Sequence, residues 1–307
     1  DKDQLFCCPS VVLDGVAGSD ALEGTVPPLP ENVHEDILRG LGPGLTACAY
    51  DGNWHVRESA VLKVVLELRD GEDGRLLPKS ARNPRALVLA VIKLAEHAFT
   101  DVNAKVFVAG VELLTGLLRL AGSDFAVEKH DPRHHLHRVC ATLTAKLREA
   151  NKRCIAPARS ALIAIATRVV PVGASLVSGA VLRPPGGRTA LRWQELERRL
   201  SLAAELIPQL PPESADAPFG AGGCVKFVHA TGGLRHSRSE VRTASRAALA
   251  NLAAHGAGGT LAVMRLLKAA YSGARKADTP DFDAIERALR REVGDGRGAP
   301  SSEGGER

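Results

Sequence analysis

At 307 residues and 45% apolar content the chain can bury one large core or two ordinary ones, yet only 4% of it is aromatic. Ala and Leu supply most of the apolar content, and Val and Ile rarely alternate with polar residues. The composition therefore favours an all-α fold over half-buried strands. A formal charge of +5 with a pI near 9.0 favours acidic partners without selecting one, and the absence of an 18-residue apolar run excludes a membrane-spanning helix.

The first segment, 1–30, reads as a flexible N-terminal stretch. It begins DKDQLFCCPS, with neither Met nor a basic-then-apolar leader, so the chain is expected to be part of a longer protein and to carry no signal peptide there. ILRGLGPGLTACAY (37–50) then has helical spacing and leads into the turn DGNWHV, after which VRESAVLKVVLEL (56–68) is helical again. The stretch 69–84 is rich in Gly, Pro and charge and reads as a connection. ALVLAVIKLAEHAF (86–99) and AKVFVAGVELLTGLLRL (104–120) flank a second turn, DVNAKV, and 121–132 is a second connection. HLHRVCATLTAKLR (135–148) and RCIAPARSALIAIATRV (153–169) flank a third turn, EANKRC. Pro157 lies inside the latter helix, where it is tolerable only near the first turn. A fourth pair is irregular around Pro184-Pro185, a fifth is marked by HSRSEVR from His236, and a sixth ends near 292. The Gly/Ser-rich 294–307 reads as a disordered tail.

Laid over itself, the chain repeats. The turns at Asp51, Asp101 and Glu149 each read acidic–x–Asn–x–x–small apolar, 50 and then 48 residues apart. The His236 copy keeps the Val-Arg of the first, as Val56-Arg57 and Val241-Arg242. Such a period with helices on both sides is the mark of HEAT-type helix pairs. Six pairs are expected near 33–68, 83–121, 132–169, 171–207, 222–255 and 258–292. They would form one elongated α-solenoid domain, 31–293, in which each pair buries its apolar stripe on its neighbours. The residues Asp51, Asn53, Asp101, Asn103 and Asn151 are expected to cap the second helices.

Catalytic chemistry finds little support. GPG (42–44), PPGG (184–187) and GAGG (220–223) follow no strand and match no phosphate-binding loop. HDPRHHLH (130–137) places His134 and His137 one turn apart, but a closed metal site needs more ligands, so a solvated helix start is expected. The six cysteines (Cys7, Cys8, Cys48, Cys140, Cys154 and Cys224) form no CxxC pair and read as reduced thiols. The chain is expected to be non-enzymatic, with no cofactor and no metal, and to act as an extended binding surface.

In such a stack the turns within pairs align along one edge. That edge would carry Trp54 at one end and Arg57, Lys105, Lys152, Arg153, Arg188 and Arg238 along its length, the composition of a protein-binding hot spot for an acidic partner. Trp54 has a second reading, as a staple folded back on the first pair. Trp193, beside Leu191 and Leu196, is expected in the core.

Residues 51–60 followed by an apolar helix resemble the first repeat of a TOG domain, the tubulin-binding HEAT array. PENVHEDILRGLGPGLTACAYDGNWHVRESAVLKV (30–64), AFTDVNAKVFVAGVELL (98–114) and SRSEVRTASRAAL (237–249) are similar to the first, second and fifth repeats of the TOG domain of a ciliary-tip centrosomal protein. The resemblance spans about 30–292 and implies a TOG-type paddle that binds αβ-tubulin, free or at microtubule ends, to support tip structure or elongation. It implies Trp54 with Asn53 and Arg57 as the first contact loop, Val102, Asn103 and Lys105 as the second, Lys152 and Arg153 as the third, Arg188 as the fourth and Arg238 as the fifth. It further implies a cytoskeletal location at the ciliary or flagellar tip and the centriole, with other tip or centriolar proteins as possible partners. Neither nucleic acid nor membrane is expected as a partner, since the basic residues lack interleaved exposed aromatics. A general HEAT scaffold that is not specific for tubulin is the alternative, and in it Trp54 belongs to the core.

Overall fold

A computed structural model describes residues 29, 33–70, 83–120, 126–130, 133–184, 191–211, 218–256, 258–275 and 279–295. The expected flexible segments 1–30 and 294–307 lie almost wholly outside these residues, as does Arg188. The described residues form helices and turns, with no strand among them. The helices are α1 (Glu35–Leu41), α2 (Pro43–Ala49), α3 (Trp54–Asp70), α4 (Pro84–Phe99), α5 (Ala104–Leu118), α6 (Arg133–Lys146), α7 (Lys152–Arg168), α8 (Gly173–Val181), α9 (Trp193–Leu206), α10 (Ala221–Ala230), α11 (Ser239–His255), α12 (Gly259–Ala270) and α13 (Phe282–Asp295). They fall into six pairs, as the repeat predicts. The chain divides at Leu176/Val177, inside α8, into two compact units.

The first helix of the first pair departs from the expectation of one continuous helix over 37–50. Pro43 has no N–H to donate and disfavours helical backbone at the residue before it. Gly42 answers with φ +80°, α1 stops, and Pro43 opens α2 at its first position. Pro157, by contrast, sits six residues into α7 without ending it. The Ala158, Ala161, Leu162 and Ile165 face of that helix remains buried.

In the first unit the helices make two layers. α1, α4 and α6 pack side by side in one, and α3, α5 and α7 in the other. The centre is α4 against α5, which between them bury Val88, Ala90, Val91, Leu94, Ala98, Phe99, Val106, Phe107, Leu113 and Leu114. Close approach is possible because Gly110 faces Ala98, where a Cβ would stand 2.7 Å from the Ala98 Cβ. The Phe99 and Phe107 rings then meet at 5.7 Å and 55°, within the range of favourable tilted aromatic pairs. In the second unit α9 packs on α11 and α11 on α13, with α10 and α12 alongside one another. Asn251 of α11 donates through Nδ2 to the Ala204 carbonyl of α9 at 2.7 Å, and Arg199 of α9 reaches the carbonyls of Val181 and Arg183 at 3.5 and 3.3 Å.

Cys48, Cys140, Cys154 and Cys224 are free and buried, and burial pushes the thiols of Cys140 and Cys224 up to about 12. They are small core hydrophobes rather than nucleophiles. Phe99 is fully buried at the α4–α5 centre, so Phe99→Ala is expected to destabilise the first unit by about 3–5 kcal/mol, measured as a lowered urea midpoint.

Candidate functional site

The turns between paired helices are built by one local device. In the first, Asp51 Oδ1 accepts the Asn53 N–H at 2.7 Å and Asn53 Oδ1 accepts the His55 N–H at 3.0 Å. In the second, Asp101 Oδ1 accepts from Asn103 at 2.8 Å and Asn103 Oδ1 from Lys105 at 2.9 Å. In the third, Asn151 Oδ1 accepts from Arg153 at 3.1 Å. Each Asn thus satisfies an orphan donor of the helix that follows. The acidic residue does something else: Asp51 and Asp101, expected as helix caps, instead close the turn onto the Asn two residues on. The turn before α11 does the same with a different residue, since His236 Nδ1 accepts the Arg238 N–H at 3.1 Å.

The repeated Val-Arg has its own function. Arg57 Nη1 donates to the carbonyls of Asp51 and Gly52 at 2.7 and 3.1 Å, and Arg242 Nη1 donates to those of His236 and Ser237 at 2.6 and 2.9 Å. Both arginines bind the carbonyls of their own turn. Arg57 also forks onto the neighbouring turn, with Nε to Asp101 Oδ2 at 2.7 Å and Nη2 to Oδ1 at 3.1 Å. The pair is largely out of solvent, at 16% and 6% side-chain exposure. Burial by itself would raise the Asp101 carboxyl; the bonds from Arg57 and the Asn103 N–H, with the Arg57 and His97 charges, outweigh it and hold the carboxyl below its ordinary value. Arg57 therefore fixes the edge from within, whereas the resemblance implied it as a contact.

Behind the first turn, the Tyr50 ring stacks on His97 at 4.1 Å. Burial pushes the His97 imidazole below its ordinary value, against a bond to the Ala49 backbone.

Held this way, the turns present their remaining side chains outward. Val102 is 98% exposed. Trp54, at the first position of α3, is half-buried rather than in the core, with His55 stacked on it at 3.5 Å and Lys105 Nζ 4.9 Å over its ring. Lys105 belongs to α5, so the first two turns share one surface. Asn53 is exposed and Asn103 half-buried, both engaged as caps. Lys152 and Arg153 are exposed at the start of α7, and Arg238 is exposed at the start of α11. Among the described residues Lys105, Lys152, Arg153 and Arg238 make no ion pair. The edge of the first unit therefore combines an aromatic face, an extruded valine and three cations.

Sequence reasoning missed two features. Trp193 is half-buried rather than core, and Arg238 lies 5.2 Å over its ring. The turn-binding function of Arg57 and Arg242 was visible only as a repeated dipeptide. Elsewhere, His134 and His137 are exposed on α6, and among the described residues no three His, Cys, Asp or Glu side chains gather as a metal site. No described helix is long and apolar enough to cross a membrane.

The family model described as "Centrosomal protein CEP104, TOG domain" matches residues 36–248. Among solved structures, the TOG domain of human Cep104 is 18% identical with a TM-score of 0.55, over 85% of this chain and 92% of that one. A structure described as "Crescerin uses a TOG domain array to regulate microtubules in the primary cilium" is 20% identical with a TM-score of 0.53, over 81% and 88%. The TOG domain of C. elegans Zyg9 is 13% identical with a TM-score of 0.56, over 80% of each chain. These identities show a shared fold. No curated protein sequence matches.

The Asp101 carboxyl is held below its ordinary value in the folded state, so the stability it contributes is present above pH ~4 and is lost as pH falls through its folded value. Asp101→Asn is expected to lower the urea midpoint at pH 7 and to shrink the further drop between pH 4 and pH 2.5 relative to wild type.

Proposed function

Because the chain belongs to the family of CEP104 TOG domains, we propose that it binds αβ-tubulin through the turns at the starts of its second helices. The observation that carries this reading is the edge of the first unit. Half-exposed Trp54 under Lys105 adjoins the turn that extrudes Val102, and Lys152 and Arg153 follow on the next turn. An aromatic and an apolar anchor ringed by unpaired cations suit an acidic protein surface. The anchors supply desolvated contact, and the cations steer encounter. Arg238 extends the same composition to the second unit, and Arg188 is its proposed counterpart in the fourth turn.

Within the contact set, Asn53, Asn103 and Arg57 act by holding the turns and the others by touching the partner. The proposed setting is the microtubule end of a cilium, flagellum or centriole, where such a module supports tip structure or elongation alone or beside other tip proteins. The reading as a general HEAT scaffold required Trp54 in the core, and its half-exposed ring does not favour that alternative.

Trp54→Ala is expected to weaken binding to purified αβ-tubulin at least about tenfold while the melting temperature stays within a few degrees of wild type. Size-exclusion co-elution with circular dichroism reads both. Unchanged affinity in a folded variant would count against the proposal. Affinity is also expected to fall from 50 to 200 mM salt, because the cations are exposed and screened; a titration at both concentrations checks it.

A further inference from the structure

Trp193 occupies in α9 the place that Trp54 occupies in α3, the first residue of the second helix of its pair. In both cases the cation over the ring comes from the start of the next pair's second helix. Lys105 of α5 stands 4.9 Å over Trp54, and Arg238, just before α11, stands 5.2 Å over Trp193. The two arrangements are made of unrelated sequence. Trp193 follows Arg192, which offers no side-chain cap, whereas Trp54 follows the capping Asn53. The shared feature is the cation held over the indole alone.

The chemistry of the pair does not end within the chain. Arg238 is exposed and, among the described residues, forms no ion pair, and its backbone N–H is taken by His236. The nearby Glu240 accepts from the Ser239 hydroxyl at 3.1 Å, and its carboxyl is drawn below its ordinary value by a backbone bond and that hydroxyl first and by the Arg238 and Arg242 charges after them. A guanidinium held over an indole face carries its N–H groups at its own edge, where a carboxylate can take two of them at once. Stacking also narrows the rotamers of a long side chain before a partner arrives, which lowers the entropy lost on binding. The indole leaves part of its own surface open beside that charge.

We propose that Trp193 is a second aromatic anchor, which holds Arg238 in position to receive a carboxylate of the acidic partner and contacts the apolar surface next to it. This rests on the tubulin reading and adds to it a residue outside the expected contact loops. Arg238 is the ionic contact and Trp193 both orients it and touches the partner.

The test is a double-mutant cycle on the full chain, with αβ-tubulin as the probe, at 50 and 200 mM salt and with thermal melts of every variant. Trp193→Leu and Arg238→Gln are each expected to weaken binding about five- to tenfold. The double variant should be no weaker than the poorer single one, and both singles should flatten the salt dependence. Trp193→Phe, which keeps a ring face, should restore part of the loss and of the salt dependence. The inference is overturned, with the tubulin reading intact, if wild type binds and Trp54→Ala does not while the Trp193 variants stay within twofold. It is equally overturned if the two losses multiply, or if Trp193→Leu only lowers the melting temperature and Trp193→Phe rescues nothing. A wild-type chain that does not bind tubulin overturns both readings together.

Discussion

The fork between Arg57 and Asp101 is the constraint on which the presented edge of the first unit depends. One guanidinium binds two carbonyls of its own turn and both oxygens of a carboxylate in the next. That carboxylate meanwhile closes its own turn onto Asn103. Two neighbouring turns are thereby fixed in mutual register by side chains that lie mostly beneath the surface. Removing either partner would strand the other in a place where water cannot fully replace it, which is why a buried fork holds geometry better than an exposed ion pair.

This arrangement also sets the sign of the surface. The acidic residues of the first two turns are engaged inward, as acceptors of backbone N–H groups and of Arg57. The exposed cations Lys105, Lys152 and Arg153 make no ion pair among the described residues. The first two turns thus keep their negative charge engaged within the loop skeleton, in a chain whose overall charge is +5. Loop-building and the placement of charge follow from one choice of residues.

Much of this was legible in the sequence because it is local. The spacing of Asn53, Asn103 and Asn151 reports helix starts directly, since a cap depends on neighbours two residues away. The helical spacing on either side did the rest, and the second helices of the first three pairs start where the repeated turns put them. The break at Gly42-Pro43 was also written in the chain, in the residue types that stop a helix, but the apolar pattern running through it masked the signal. What could not be read were relations between pairs. Arg57 looked like a surface cation because its carboxylate partner is 44 residues away, and Trp193 looked like core because large aromatics usually are. Whether such a side chain faces in or out depends on the helix beside it, which no local pattern encodes. The division of labour between Asp and Asn in each turn was missed for a smaller reason. Both types bond backbone N–H groups, and only geometry says which.

The fork has a bearing on modularity. HEAT arrays invite being cut and recombined pair by pair, since each pair touches mainly its neighbours. Here the first loop is finished by a residue of the second pair, so a hairpin of α1 to α3 would carry Trp54 on a turn that has lost half of its anchoring. The transferable piece is two pairs long. Any host solenoid that receives this loop would have to supply an aspartate at the opening of its following turn.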